Sequence, residues 1–530
     1  MPLAAGETAD WADVALDASG SGEASFALEA GDGTPGFDPH TVIADVGLYI
    51  PSATANGSAT VSTVILITSD THRGDMLGAL GGTRPNAAHA GAAHGVSTPH
   101  LDALAARGVL FVDAVAPSNA TNPSHASLLT GLHVRDTRIV TNSSPLGDQA
   151  ITLAEHFRAA GYRTAAAVSV VHMGQAMSGF GQGFDRYDAP PFPTGAEVSA
   201  HKGSEDSVRL GERTVAAALE QAAAAEGMPL FLWVHVYDAH VPYLPEPAFD
   251  RRYYPEGLDP RSGPGLPVEE KKLHGSMHGI RDPLFMWHQY RALVDYVDHA
   301  LAPVLELPRA RQAVIAFTAD HGESFGNHGM WYDHRGIFRD NTHIPMILAW
   351  PDAPQHMLGA RVAAPVGLLD VGRTLLDLAG LGAVEFDGRD LRTAVDSDWP
   401  NEPRYSIAGG GKSVSLDDGR WVLVLHMEDD VSDDETINWR RGQVELFDRA
   451  SDPECTVDIV EANVERARTM RRAVLRWLDA APEQGLSAEF FVTPRAAAEL
   501  AKLGYAAGTS PTGAWYVPGD DDWELKYERR

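Results

Sequence analysis

Ala313-Val314-Ile315-Ala316-Phe317-Thr318-Ala319-Asp320-His321 begins as an apolar run and ends on a carboxylate and an imidazole. A short run without polar alternation fits a strand buried on both faces of a parallel sheet. Three other runs share the pattern. Val64-Ile65-Leu66-Ile67 leads to Asp70, Phe231-Leu232-Trp233-Val234-His235-Val236 leads to Asp238 and His240, and Ala165-Ala166-Ala167-Val168-Ser169-Val170-Val171 leads to His172. In an open parallel sheet the ligand crevice lies outside the carboxyl ends of the strands, so these groups are expected to converge although they are distant in sequence. One Asp after a strand is ordinarily a helix cap. Several such positions, two of them paired with histidine, are not accounted for by capping.

Helical stretches fall between the strands. One runs from Thr98 through Pro99, Leu101 and Leu104 to Gly108, another from Thr152 through Phe157 to Gly161, and a third from Trp287 to Leu305. Met346 to Trp350 adds a strand. The alternation predicts an α/β fold: a mostly parallel sheet with helices on both faces. Residues 1–60 read as a short β-rich segment, residues 61–400 as the catalytic domain and residues 401–530 as a smaller C-terminal α+β subdomain with a tail. That subdomain has strands at Trp421–Leu425 and Val444–Asp448 and a helix over Val460–Leu478. Residues 250–285 read as a long loop in which His274 and His278 are solvated.

The 530 residues carry a net charge of −30, which excludes a nucleic-acid backbone or an anionic membrane as the main partner. The one cysteine, Cys455, rules out an internal disulfide and a cysteine zinc cluster. No apolar run approaches the ~20 residues of a membrane span. Met1 to Gly20 lacks a basic segment followed by an apolar one, so the sequence as written predicts a cytoplasmic location. The oligomeric state is not readable.

Thr121-Asn122-Pro123-Ser124-His125, running into Ala126-Ser127-Leu128-Leu129-Thr130-Gly131, places a hydroxyl at the mouth of a helix. Pro123 suits a first turn, where its missing N–H costs nothing. Thr121 then sits where backbone amides and the helix dipole favour an anion. Asp70, Asp320 and His321 supply two carboxylate oxygens and an imidazole nitrogen for a divalent cation, with the Thr121 oxygen completing the set. Carboxylates suit Ca²⁺ or Mg²⁺, and the imidazole leans toward Zn²⁺ or Mn²⁺. Ligation would make Thr121 an alkoxide nucleophile toward phosphorus or sulfur. His240 and His334 are expected to position substrate, protonate the leaving group or hold a second cation. His235, on its strand, reads as a satisfied core histidine.

These blocks resemble the sulfatase family of the alkaline phosphatase superfamily. Val64 to Asp75, Thr98 to Ala105, Thr121 to His125, His235 to Tyr243 and Thr318 to Gly329 look like its ordered active-site segments. Leu446-Phe447-Asp448 with Asp452-Pro453-Glu454 is similar to its C-terminal signature. The resemblance implies a metal-dependent ester hydrolase, with Zn, Mn or Ca in one site. A second cation between Asp238, His240 and His334 is an open alternative, although two-metal members space that Asp and His four apart. In sulfatases the nucleophile is a formylglycine made from Cys or Ser. Thr121 cannot become one, because its β-carbon carries a methyl group. His125 stands where the family has arginine, and His172 and His334 stand near where two sulfate-binding lysines are expected. The expected substrate is therefore a small-molecule, lipid or carbohydrate phosphate or phosphonate ester, a diester first, with Arg73, His125, His172 and Asp238 as its binding residues. A sulfatase acting without formylglycine, and a non-catalytic binding protein on this scaffold, are the alternatives.

Overall fold

The computed structural model describes residues 61–81, 95–190, 207–270, 273, 275–396, 399–431, 437–488 and 515. The segment expected over residues 1–60, and His274, lie outside them. In chain order the main elements are β1 (Thr63–Ser69), α1 (Pro99–Ala106), β2 (Val109–Val115), α2 (Thr121–Thr130), α3 (Leu153–Ala159), β3 (Arg163–Val168), β4 (Arg186–Asp188), α4 (Gly211–Ala224) and β5 (Leu230–Val236). They continue with α5 (Pro283–Leu305), β6 (Val314–Ala319), β7 (His343–Ala349), β8 (Ala360–Val362), β9 (Val366–Gly367) and α6 (Leu368–Leu378).

Nine strands form one sheet in the order β8-β2-β7-β6-β1-β5-β3-β4, with β9 also paired to β2. β1 lies parallel between β5 and β6, and the register sets Ser69 beside both Val236 and Ala319. The residues that follow, Asp70 and Asp320, therefore leave neighbouring strands at the same edge. β7 runs antiparallel to both β2 and β6. Alternation along β1 feeds two cores. Val64 and Leu66 pack with Leu128 and Leu129 of α2, Phe157 of α3 and Leu375 of α6. Ile65 and Ile67 pack with Leu104 of α1, Val215 of α4 and Val294 of α5 on the other face. Each fully buried Leu of this kind contributes about 1.5–3 kcal/mol. α2 ends where Gly131 takes a left-handed φ of 71°, and α3 begins with a Thr152–Glu155 capping box.

A separate antiparallel sheet joins β10 (Arg404–Ile407), β11 (Ser413–Asp417), β12 (Trp421–His426) and β13 (Val444–Asp448), with α7 (Val464–Asp479) packed on it. It is bound closely to the large sheet. Ile407 N–H donates to the Pro117 carbonyl at 2.9 Å. Arg449 bridges Asp113 of β2 and Asp417 of β11 at 2.6 and 2.9 Å. The strand expected over Ala165–Val171 stops at Val168, and a short turn over Val171–Met173 carries His172.

Candidate active site

β1 and β6 deliver the two carboxylates. Asp320 Oδ1 accepts the backbone N–H of His321 at 2.8 Å and of Thr71 at 3.2 Å, which fixes the carboxylate plane. Thr71 makes that bond from a left-handed backbone, φ 51°, an uncommon position for a β-branched residue. His321 donates from Nδ1 to the Gly322 carbonyl at 2.9 Å, so Nε2 carries the lone pair. It lies 4.0 Å from Asp70 Oδ1 and 3.6 Å from Asp320 Oδ2.

These three atoms are buried and have no hydrogen-bond partner. One ligand atom each from Asp70, Asp320 and His321 lies within 4.8 Å of the others. Burial, reinforced by Asp320, pushes the Asp70 carboxyl well above its usual range, and burial raises Asp320 as well. Two close buried carboxylates and an imidazole lone pair are the donor set a divalent cation needs. The residues fit such an ion.

α2 brings the hydroxyl. Thr121 is completely buried, and its Oγ1 donates to Asp70 Oδ2 at 3.3 Å. Three more imidazoles gather around it. The ring of His334 is centred 4.3 Å from that of His321 and 5.4 Å from that of His240. His334 donates from Nδ1 to the Asn119 carbonyl at 2.7 Å, and His240 from Nδ1 to the Val241 carbonyl at 2.8 Å. In each, Nε2 is thereby fixed as the basic nitrogen. His172 Nδ1 lies 3.1 Å from Asn122 Oδ1. Burial pushes His172 down to about 3 and puts His240 and His321 well below the ordinary histidine range, which holds those three rings neutral.

A model of the sulfatase family matches residues 62–381. The chain belongs to that family. It is similar to a sulfatase of Formosa agariphila, 26% identical over 410 residues that cover 68% of this chain and 77% of the relative. It is also similar to a choline-sulfatase of Rhizobium meliloti, 26% identical over 72% of this chain and 83% of the relative. Among solved structures, the phosphonate monoester hydrolase of Agrobacterium radiobacter superposes with a TM-score of 0.58 at 21% identity, covering 79% of this chain and 95% of that one. The fold is therefore that of the alkaline phosphatase superfamily, and the protein is an ester hydrolase.

Within this sulfatase scaffold, Asp70, Thr121, Asp320, His321, His334, His240 and His172 come together. Three residues expected to bind substrate make other contacts. Arg73 is paired with Asp75, at 2.9 and 2.8 Å, and donates to the Glu323 carbonyl at 2.8 Å, so three of its five N–H donors are taken within the chain. Asp238 turns to the start of α4, where it accepts the Gly211 N–H at 3.0 Å, and so it joins neither substrate nor a second cation with His240. His125 is buried beside Thr121 and Asp320, with both ring nitrogens engaged within the chain: Nδ1 donates to the Thr121 carbonyl at 2.8 Å and lies 3.9 Å from Asp320 Oδ2, and Nε2 meets Thr68 Oγ1 at 3.1 Å.

The sequence reading missed Asn119, Asn122 and His235. Asn119 Nδ2 donates to the carbonyls of His334, Arg335 and Gly336 at 2.6, 2.7 and 2.9 Å, and its Oδ1 accepts the Gly409 N–H at 2.7 Å. Asn122 Nδ2 donates to the His172 carbonyl at 3.2 Å. Adjacency to Thr121 was a signal for Asn122, and nothing local marked Asn119. His235 is not the satisfied core residue expected of its strand position, because neither ring nitrogen has a hydrogen-bond partner.

Proposed function

We propose that this sulfatase-family chain hydrolyses phosphate or phosphonate esters of small molecules or carbohydrates, diesters included, with Thr121 as nucleophile. The observation that carries this reading is the Thr121 hydroxyl itself, buried at the first residue of α2 and 3.3 Å from Asp70 Oδ2. A threonine cannot supply the aldehyde hydrate on which formylglycine chemistry depends. It can form a phosphate ester.

Thr121 Oγ attacks phosphorus in line as its proton passes to Asp70 Oδ2. The Oγ–P bond forms and the bond from phosphorus to the leaving oxygen breaks, that oxygen taking a proton from solvent, while the unprotonated Nε2 of His240 or His334 accepts the proton of the water that attacks next and Asp70 returns its proton to Thr121. Water then cleaves the Oγ–P bond and the hydroxyl is restored. Asp70, Asp320 and His321 would hold the divalent cation, and the imidazole in the set favours Zn²⁺ or Mn²⁺ over Ca²⁺. Bound there, the ion would lower the pKa of the hydroxyl and offset charge on the phosphoryl oxygens. His172 is held by Asn122, the residue next to Thr121.

The test is metal analysis of purified protein together with turnover of nitrophenyl phosphate, phosphodiester, phosphonate and sulfate esters by wild type and Thr121→Ser, Ala and Cys. A phosphorus ester is expected as the best substrate, with activity lost in Thr121→Ala. Full activity in that variant would sink the mechanism. The family match favours a second reading, a sulfuric ester hydrolase working without formylglycine, and the aryl sulfate arm separates the two.

A further inference from the structure

His235 stands in β5 opposite Thr68 of β1 and is fully buried. A polar side chain left unpaired in an interior costs about 1–3 kcal/mol, so its surroundings need an explanation. Its Nε2 lies 3.5 Å from Asp70 Oδ2, and its ring packs edge-on against His125 at 5.1 Å. His125, His235 and Asp320 lie close enough together to chelate an ion. His125 is not available for that. Trp233 Nε1–H donates to Thr68 Oγ1 at 3.0 Å, the Thr68 hydroxyl faces His125 Nε2 at 3.1 Å, and His125 Nδ1–H donates to the Thr121 carbonyl at 2.8 Å. Every proton in that chain has a place, and an ion on His125 would break one of its bonds.

Asp70 Oδ2, at 3.5 Å, is thus the carboxylate oxygen within closest reach of His235. The two oxygens of this carboxylate have different tasks. Oδ1 faces His321 Nε2 at 4.0 Å, while Oδ2 takes the Thr121 hydroxyl at 3.3 Å. The terminal torsion of an Asp side chain is broad and roughly twofold, so one neutral hydroxyl is a weak hold on its plane.

We propose that His235 is a positioning residue: its Nε2–H donates to Asp70 Oδ2 and fixes the carboxylate so that Oδ1 is aimed at the seat shared with Asp320 and His321, and Oδ2 at Thr121. The proposal rests on the reading of those three residues as a cation seat. Donors of this kind behind a metal ligand are worth 10–100-fold in affinity by general experience, and the effect here is expected to be on the order of that range.

The experiment measures binding of Mn²⁺ and of Zn²⁺ to metal-free protein by competition with a chromogenic chelator. The proteins are wild type, His235→Phe, His235→Gln and His321→Ala. Phenylalanine keeps the ring against His125 without a donor, and glutamine returns an N–H near the place of Nε2. His235→Phe is expected to bind on the order of 10–100-fold more weakly, and His235→Gln to recover most of the loss. Phenylalanine binding as tightly as wild type, or glutamine as weakly as phenylalanine, overturns the donor role and leaves the seat and Thr121 standing. Wild type that binds neither ion removes the seat and the proposal together. Thermal melts of the metal-free proteins establish that each variant is folded, and His235→Leu replaces His235→Phe if that variant is not.

Discussion

Thr121 Oγ1 donates to Asp70 Oδ2 across 3.3 Å, although 51 residues separate the two in sequence. The contact exists because β1 and β2 end at the same edge of the sheet, one leading into Asp70 and the other into α2. The hydroxyl therefore meets a proton acceptor and the positive end of a helix at one point.

Replacing that hydroxyl tests the pairing directly. Thr121→Ala is expected to lower kcat on a phosphodiester by about 10³-fold or more, the scale seen when a nucleophile is removed. Thr121→Ser should keep measurable turnover. Both should melt within a few degrees of wild type, because the change removes few buried atoms, and circular dichroism melts run beside the assays check this.

Stripping divalent cations is expected to abolish turnover and to lower the Tm. Asp70 and Asp320 are buried with their facing oxygens unpartnered, so with both ionised a cation is what offsets their repulsion. An ion that binds only the folded chain adds about 2.7 kcal/mol at a hundred times its Kd. Adding Mn²⁺ or Zn²⁺ back should restore the Tm more fully than Ca²⁺ does, as read by differential scanning calorimetry after chelation and dialysis.

Asp70, Asp320 and His321 were legible in the sequence because each follows an apolar run, and the parallel register then forces them to one edge. β2 was not, since its run carries Asp113 and follows α1 after only a short break. The direction of β7 was not either: periodicity reports burial, and the connection decides whether a strand runs parallel. Arg73 and Asp238 lay in the right blocks and face the wrong way. Asp75, two residues on, captures Arg73, and the turn after β5 sends Asp238 to α4 while His240 stays with His334. Neither outcome can be read without the backbone path.

Asp238 carries a pH signature. Burial, the largest influence, moves its carboxyl from an ordinary ~3.9 up to about 7. The folded chain then holds a proton that the unfolded chain has released. Stability from this residue is present below pH 4, falls as pH rises toward 7 and is gone above that. Asp238→Asn removes the slope and still accepts the Gly211 N–H. Its Tm relative to wild type is expected to rise between pH 5 and pH 8, by the equivalent of roughly 2–4 kcal/mol at the upper end. Turnover should persist, because Asp238 is turned away from Thr121.

Asn119 tests whether the C-terminal sheet supports the site. One buried amide ties the carbonyls of residues 334–336 to the Gly409 turn that follows β10, while the backbone carbonyl of Asn119 fixes the tautomer of His334. Asn119→Ala leaves three carbonyls and one N–H to find other partners, a cost of about 1–3 kcal/mol. It also loosens the loop that holds His334 beside His321, and a misplacement of about 1 Å can cost on the order of 10²-fold in rate. The expected result is a lower Tm with a fall in kcat larger than any change in KM. Asn119→Asp should not rescue, because it returns the acceptor for Gly409 without the donors. A variant that melts lower but keeps the wild-type kcat would assign Asn119 to folding alone.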